Sequence, residues 1–109
     1  MPERRRLSPD EIREGLASLN GWTVEHDKLH KQFEFGSFVQ AFSFMTAGAI
    51  IAEKMDHHPE WCNVYNHVVV DLATHDIGGI SPFDFDLATA FNAVFDAAFN
   101  AVADANAES

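Results

Sequence analysis

The sequence predicts an α+β chain whose elements run in the order helix, two strands, helix, two strands, helix. Three observations indicate this order. Ser-Pro pairs at Ser8 and Ser81 each precede a run of helical periodicity, since serine caps a first turn and proline suits the first helical position. Alternating polar and apolar residues over 22–35 and 61–74 are typical of two hairpins. Between the hairpins, residues 37–57 are apolar on almost every side, which predicts a buried helix.

The first helix begins after Ser8, whose side chain is predicted to form a capping box with Glu11. Asn20-Gly21 predicts its end, because glycine favours the left-handed conformation that closes a helix. The first hairpin then turns around Asp27. Its second strand is predicted to place Leu29, Lys31, Phe33 and Phe35 on one face and His30, Gln32 and Glu34 on the other.

Ser37 is the predicted cap of the second helix, which runs to about His57 because Pro59 disfavours the helical conformation for the residue before it. The helix is apolar on two faces. One stripe consists of Phe38, Phe42, Met45 and Ala49, and a second face carries Phe44, Ile51 and Met55. A helix of this kind is buried on more than one side. We therefore expect one side to cover the sheet and the other to meet another subunit.

The second hairpin is predicted from Trp61–Val64, a turn at Tyr65-Asn66 and His67–Thr74. Regular alternation places His75 at the end of the last strand, on the same face as Asp71. Trp61 is expected to pack in the core, although an aromatic ring near the histidines could also stack on a flat heterocycle.

The last helix begins with a second predicted capping box, in which Asp84 is the partner of Ser81. Its apolar residues recur on one broad face, which predicts an amphipathic helix lying on a sheet or on a subunit surface. That face comprises Leu87, Phe91, Val94, Phe95, Ala98, Phe99 and Val102.

Length and charge limit the classes of protein to which the chain can belong. With 109 residues, 47% of them hydrophobic, residues 1–109 are expected to form a single domain, near the size at which oligomerisation helps. Seventeen acidic and seven basic residues give a formal charge of −10. Such a surface disfavours direct contact with nucleic acid or an anionic membrane. The longest uncharged run is shorter than the ~20 residues that a membrane-spanning helix needs.

Cysteine usage indicates the compartment. Cys62 is the single cysteine, so the chain has no internal disulfide, which fits a reducing location such as the cytoplasm. Because it follows Trp61 in a predicted strand, Cys62 is expected to be a small buried hydrophobic residue rather than a nucleophile. The charged N-terminus is not followed by an apolar run, which argues against a secretory signal.

Three histidines are the candidate functional residues. His57 and His58 end the second helix, and His75 follows the last strand. Imidazole exchanges protons near neutral pH, and the carbonyl groups at a helix end favour its cationic form. Glu53 lies one turn before His57 and is expected to orient that ring. Adjacent residues cannot point the same way from a helix end, so His57 and His58 should play different roles.

Two other interpretations of these histidines remain open. They could be ordinary surface residues, since the ends of helices and strands are exposed and polar. Three histidines are also a known zinc-binding set. Against zinc, adjacent ligands are geometrically awkward, and neither a spacing of four along one helix nor a CxxC pair is present. His26, His30 and His67 are predicted to have no catalytic role.

Short motifs around the histidines resemble the signature of the pterin-4a-carbinolamine dehydratase family. They are EKMDHHPEW at 53–61, NVYN at 63–66 and LATHDIGGIS at 72–81. KQFEFGSFVQAFSFMT and the DLATA of the last helix also resemble the family. The likeness covers roughly residues 21–90, and the combination of HHPEW, NVYN and TH is specific.

The resemblance implies an α+β sandwich in which helices cover one face of an antiparallel four-stranded sheet, assembled as a homodimer or homotetramer. It implies a hydro-lyase that removes water from 4a-hydroxytetrahydropterin to give quinonoid dihydropterin during tetrahydrobiopterin recycling. No metal, redox cofactor or covalent intermediate is required. The alternatives are a protein-binding module, since some animal members act as dimerisation cofactors for a homeodomain transcription factor, and a small three-histidine metal protein.

The family's three site histidines correspond to His57, His58 and His75 in this chain. By this resemblance His58 and His75 are expected to transfer protons, with His57 in support, and which one is the acid is left open. Asp56 and Trp61 are the candidate substrate-binding residues.

Overall fold

The computed structural model describes residues 3–100, and the elements within them follow the predicted order. They are α1 (Pro9–Leu16), β1 (Thr23–Glu25), β2 (Lys28–Glu34), α2 (Phe38–Met55), β3 (Glu60–Val64), β4 (His67–Leu72) and α3 (Pro82–Val94). A short 3-10 turn (His75–Ile77) joins β4 to α3, and a π-helix (Phe95–Asn100) continues α3. The α+β class is confirmed. Val102, expected on the last helix, lies outside the described residues.

Both Ser-Pro helix starts have the predicted capping box. Ser8 Oγ accepts from the backbone N–H of Glu11 at 3.1 Å, and Glu11 Oε1 accepts from the backbone N–H of Ser8 at 2.9 Å. Ser81 and Asp84 form the same reciprocal pair at the start of α3. Ser37 caps α2 by accepting from the third N–H of that helix at 3.1 Å. These caps satisfy donors that have no partner within the helix itself.

The helix α1 ends before the predicted stop at Asn20-Gly21. After Leu16 the chain tightens, with the Leu19 N–H donating to the carbonyl of Leu16 at 3.1 Å. Gly21 has the expected left-handed conformation, with φ of 84°. The tightened turn carries Leu19 and Trp22 into the core, where both are buried.

The four strands form one antiparallel sheet in the order β1-β2-β4-β3. Leu29 pairs with Leu72, and Phe33 pairs with Val68 across the two central strands. The helices α2 and α3 pack on the face that these residues share, which confirms the predicted one-sided sandwich. The core includes the buried side chains of Trp22, Leu29, Phe33, Phe35, Phe44, Val68, Val70, Leu72, Leu87 and Phe91.

Cys62 is exposed, so the prediction that it is buried is wrong. Side chains alternate along β3, with Trp61 and Asn63 partly buried and Glu60, Cys62 and Val64 exposed. Trp61 faces the helices, and Cys62 therefore lies on the face of the sheet that the helices leave open. The prediction failed because an apolar neighbour in sequence does not place a strand residue in the core when only one face is covered.

The apolar helix α2 has two distinct faces, as predicted. Ala41, Phe44, Gly48 and Ala52 are buried against the core. On the other side Phe38, Val39, Phe42 and Ile50 are exposed to solvent. Although α2 has 18 residues, no helix within residues 3–100 is both long and apolar enough to cross a bilayer.

Candidate active site

The end of α2 separates the two adjacent histidines. Asp56 follows the last helical residue in the left-handed conformation, with φ of 52° and ψ of 42°. The backbone N–H of His57 then donates to the carbonyl of Ala52 at 3.0 Å, and that of Asp56 donates to Glu53 at 3.1 Å. These two bonds form the closing motif of a helix whose chain turns away from its axis. The turn directs His57 into the protein and leaves His58 exposed.

His57 binds a carboxylate at the start of α3. Its Nε2 lies 2.6 Å from Asp84 Oδ1, and the Asp84 side chain is fully buried. The other oxygen, Oδ2, accepts from Thr74 Oγ1 and from the backbone N–H of Ser81, both at 2.9 Å. No buried side-chain nitrogen or oxygen within residues 3–100 lacks a hydrogen-bond partner. The carboxylate is therefore satisfied at both oxygens, as buried polar groups must be.

The hydrogen bonds around an ionised Asp84 favour one tautomer of His57. Thr74 gives its proton to Asp84, so Ser81 Oγ must donate to Thr74 Oγ1, at 2.6 Å. Ser81 Oγ in turn accepts from the backbone N–H of Phe83 at 3.2 Å. Every group around Asp84 thus donates toward it, and His57 completes the set by donating through Nε2–H. Its Nδ1 is the nitrogen left for other partners.

Glu53 pairs with His58 and not with His57, so the expected orientation of His57 by Glu53 is wrong. His58 Nε2 lies 2.7 Å from Glu53 Oε1, and both side chains are largely exposed. A spacing of four residues would bring Glu53 to His57 only if the helix continued through His57. Because the chain instead turns at Asp56, His58 is the residue that folds back over the last helical turn.

His75 begins the 3-10 turn that follows β4. Its Nε2 lies 3.3 Å from Glu60 Oε2, and its side chain is 73% exposed. The other oxygen of Glu60 accepts from Lys28 Nζ at 2.8 Å. The hydrogen bond to Glu60 and the negative charges of Glu60 and of Asp71 on the adjacent strand β4 raise the pKa of Lys28. Each of the three candidate histidines therefore meets a different carboxylate through Nε2.

The three histidines line one cleft. It has a volume of about 290 Å³, and its walls include His57, His58, His75, Arg4, Asp56 and Asp76. Residues from the end of α2 and from the turn after β4 thus come together, as the sequence predicts. A larger groove of about 530 Å³ lies between α1 and α3, but none of its lining residues is a histidine or cysteine.

Trp61 is not among the residues that line this cleft. Its ring stacks on Phe91, with centroids 5.8 Å apart and planes 9° apart, and it packs beside Gly48 of α2. Alternation along β3 places Trp61 on the side of the helices. Asp56, the other candidate substrate-binding residue, does line the cleft and is exposed.

The remaining histidines do not line the cleft that holds the trio. His30 Nδ1 lies 2.8 Å from Asp71 Oδ1 on the open face of the sheet, and His67 Nε2 lies 3.4 Å from Glu34. His26 forms the first hairpin turn in the left-handed conformation, with φ of 55°. His26 lines a smaller neighbouring cleft together with His75.

Three contacts of the candidate site have no signal in the sequence. Asp84, a carboxylate near the histidines in sequence whose expected role is capping, also binds His57. Glu60 reaches His75 from β3, and Arg4 enters the wall of the cleft from the N-terminal segment. All three pairs join residues far apart in sequence, so no local motif signals them.

Among residues 3–100, no three histidine, cysteine or acidic side chains are arranged to bind a metal ion.

Comparisons with known proteins agree with the motifs. The family model described as pterin 4 alpha carbinolamine dehydratase matches residues 5–94. A relative from Solibacter usitatus, provisionally described as a pterin-4-alpha-carbinolamine dehydratase, is 49% identical over 89 residues, which are 82% of this chain and 94% of that protein. A relative from Prochlorococcus marinus with the same provisional description is 48% identical over 92 residues, 84% of this chain and 96% of that protein.

A solved structure shares the fold. The crystal structure described as transcriptional coactivator/pterin dehydratase from Brucella melitensis has a TM-score of 0.81 and 42% sequence identity to this chain. The match covers 83% of this chain and 98% of that one. With the family model matching most of its length, the chain belongs to the pterin-4-alpha-carbinolamine dehydratase family of hydro-lyases.

Proposed function

We propose that this enzyme dehydrates 4a-hydroxytetrahydropterin to quinonoid dihydropterin by acid–base catalysis at His57, His58 and His75, as a step in tetrahydrobiopterin recycling. The observation that carries the proposal is the single cleft lined by all three imidazoles, in a chain that belongs to a dehydratase family. The cleft is open to solvent on the side of His58 and His75, whose side chains are mostly exposed. A substrate can therefore reach both rings.

The chemistry needs one proton donor and one proton acceptor. Hydroxide is a poor leaving group, so an acid protonates the oxygen on carbon 4a as the C–O bond breaks. A base takes the proton lost from the pterin ring, and water leaves. A positioned acid or base with suitable protonation contributes typically ~10²–10⁴-fold to the rate. Imidazole performs either task near neutral pH.

We assign the proton transfers to His58 and His75 and a supporting role to His57. His57 is buried, and its Nε2 is bound by Asp84 within a satisfied network, which fits orientation better than repeated proton exchange. His58 and His75 meet their carboxylates in solvent, and each keeps Nδ1 for proton exchange. Which of the two is the acid depends on how the substrate lies in the cleft.

We propose Asp56 as a substrate-binding residue because its carboxylate lines the cleft. A pterin presents an amino group and ring N–H groups that a carboxylate can accept from. For Trp61, which does not line the cleft, we propose a supporting role in place of direct contact with the substrate. Its stacking on Phe91 packs β3 against the helices, and β3 carries Glu60, the partner of His75.

The exposed apolar face of α2 supports a homodimer or homotetramer. Phe38, Val39, Phe42 and Ile50 form a surface that a single copy leaves in water, and large exposed apolar surfaces mark interaction sites. We propose that a second copy of the chain covers it. Light scattering of native protein and of Phe42→Glu tests this: a smaller assembly for the variant is expected, and a native monomer would contradict it.

The remaining partners and the location follow from charge and cysteine content. With a formal charge of −10, the enzyme is proposed to act on a small pterin without binding nucleic acid or membrane directly. Its single cysteine fits the reducing cytoplasm, where we place it. We also propose that residues 1–109 form one domain.

The test is the decay of 4a-hydroxytetrahydropterin, followed by ultraviolet absorbance with native protein and with His75→Ala. His67→Ala is the matched control, because His67 also meets a carboxylate but does not line the cleft. We expect fast decay that His75→Ala slows at least a hundredfold and that His67→Ala and a chelator leave unchanged. Native decay no faster than in buffer would overturn the proposed activity. That outcome would favour a protein-binding role, because the Brucella melitensis protein is also described as a transcriptional coactivator.

A further inference from the structure

The segment before α1 lies against the loop that follows His75. The backbone N–H of Leu7 donates to the carbonyl of Ile80 at 2.8 Å. The Arg6 side chain covers Gly79 so closely that a Cβ there would lie 2.9 Å from Arg6 Nε. These contacts place the N-terminal segment along one edge of the cleft, with Arg4 as its residue in the cleft wall.

Arg4 is positioned by two contacts. Its Nη1 lies 3.2 Å from both carboxylate oxygens of Asp76, which is next to His75 in sequence. Its guanidinium carbon lies 5.1 Å from the centroid of the Phe83 ring, within the range of a cation–π interaction. Phe83 in turn packs on His57, with centroids 5.5 Å apart. Arg4 is therefore oriented by Asp76, which is next to His75 in sequence, and by Phe83, which packs on His57.

The guanidinium has donors to spare. Arginine carries five N–H groups, and the contact with Asp76 uses Nη1. The edge formed by Nε and Nη2 remains as a planar fork of donors, and the side chain is 49% exposed. Within residues 3–100, Arg4 is also the one lysine or arginine that lines the cleft. Such a fork binds an acceptor oxygen more selectively than an ammonium group can.

We infer that Arg4 is a substrate-binding residue that donates to the carbonyl oxygen of the pterin ring. The inference rests on the proposed function. A pterin has its ring carbonyl at carbon 4, adjacent to the carbon 4a that carries the leaving hydroxyl. A donor at this oxygen positions the reacting carbon between the histidines, and hydrogen bonds to a charged group are the stronger kind.

A neutral acceptor fits this site better than an anionic side chain on the pterin. Asp76 already offsets the charge of Arg4, and Asp56 lines the same cleft. The protein as a whole carries a formal charge of −10, which repels anions. Arg4 therefore contributes N–H donors in fixed positions more than it contributes net positive charge.

Arg5 provides a matched control within the same segment. Its Nε lies 2.9 Å from Glu3, and its Nη1 and Nη2 lie 3.1 and 2.9 Å from the two oxygens of Glu11. Arg5 does not line the cleft. Arg5→Ala therefore removes the same charge as Arg4→Ala while leaving the cleft wall intact.

The experiment compares steady-state kinetics of native enzyme, Arg4→Ala, Arg4→Lys and Arg5→Ala. Each is tested with 4a-hydroxytetrahydrobiopterin and with its 6-methyl analogue, which lacks the hydroxylated side chain. We expect Arg4→Ala to raise KM about tenfold on both substrates, with kcat within about twofold of native. Arg4→Lys should recover only part of the loss because the fork is missing, and Arg5→Ala should have native kinetics.

Other results would overturn the inference. An unchanged KM in Arg4→Ala, an equal loss in Arg5→Ala, or a loss carried by kcat alone would each exclude a role for Arg4 in binding. A loss limited to the biopterin substrate would show that Arg4 binds the side chain and not the ring. Failure of the proposed function is a separate result, because the native enzyme itself would then be inactive on both substrates.

Discussion

His57 Nε2 lies 2.6 Å from Asp84 Oδ1, and both side chains are buried. This contact joins the end of α2 to the start of α3. Asp84 is also the third residue of α3, where its carboxylate completes the capping box with Ser81. One buried carboxylate therefore fixes a helix start and an imidazole of the candidate site together.

Replacing Asp84 should destabilise the protein strongly. Asp84→Ala leaves His57, Thr74 and the Ser81 backbone without their common acceptor. Each buried donor left without an acceptor costs typically ~1–3 kcal/mol, so the loss of an acceptor shared by three donors should cost roughly 3 kcal/mol or more. Denaturant unfolding should show a loss of this size, whereas Asp86→Ala, two residues along α3 and exposed, should change the free energy of unfolding by less than ~0.5 kcal/mol. Equal effects of the two substitutions would show that the network does not contribute to stability.

The left-handed Asp56 should respond in opposite directions to glycine and alanine. A residue with a Cβ is strained at φ of 52°, although aspartate tolerates that region better than most. Asp56→Gly should therefore stabilise the fold by about 0.5–1 kcal/mol, and Asp56→Ala should destabilise it by a similar amount. Thermal unfolding of both variants distinguishes them. If both variants had the same stability, backbone strain at Asp56 would not be the cause.

The end of α2 at Asp56 separates features of the structure that the sequence could predict from features that it could not. The capping boxes, both hairpins and the two faces of α2 follow from local patterns, and all were predicted correctly. The pairing of Glu53 depends on where the helix ends, and a left-handed aspartate gives a weaker signal than a glycine. The exposure of Cys62 depends on which face of the sheet is covered, which only the tertiary structure decides.

Cys62 should react rapidly in the native state. Its side chain is exposed on the open face of the sheet, and it is the one cysteine in the chain. An aromatic disulfide reagent should therefore modify one thiol per chain without denaturant. Cys62→Ser should abolish the reaction and leave unfolding unchanged within ~0.5 kcal/mol. Modification that requires denaturant would contradict the exposure of this strand position, or show that another copy covers it.

The Glu11 carboxyl in the capping box of α1 should titrate at unusually low pH. Hydrogen bonds from Arg5 and from the backbone of Ser8 lower the pKa of Glu11 to about 2, from a usual value of 4.5. Because the folded pKa lies below the unfolded one, the Glu11 carboxylate contributes its full stability above about pH 4.5 and loses it as the pH falls toward 2. Carboxyl NMR titration should show the low midpoint, and Arg5→Ala should raise it. An unchanged midpoint in Arg5→Ala would exclude the arginine as the main cause.

The three site histidines should separate into two classes when stability and rate are measured together. His58 and His75 have mostly exposed side chains, so alanine at either position should change the free energy of unfolding by less than ~0.5 kcal/mol. His57→Ala leaves the buried Asp84 carboxylate without its imidazole partner, which should cost ~3 kcal/mol or more. Denaturant unfolding of the three variants measures this difference.

On the proposed mechanism, the substitutions of His58 and His75 that cost little stability are the ones that cost the most activity. His58→Ala and His75→Ala should each lower kcat/KM by ~10²–10⁴-fold, as expected for the loss of an acid or a base. The double variant should be little worse than the slower single one, because groups that act in one concerted step are not additive. Losses that multiply in the double variant would indicate that the two histidines contribute independently of each other. A stable His58→Ala protein with native kcat/KM would remove His58 from the proton transfer and leave His75 to act with His57.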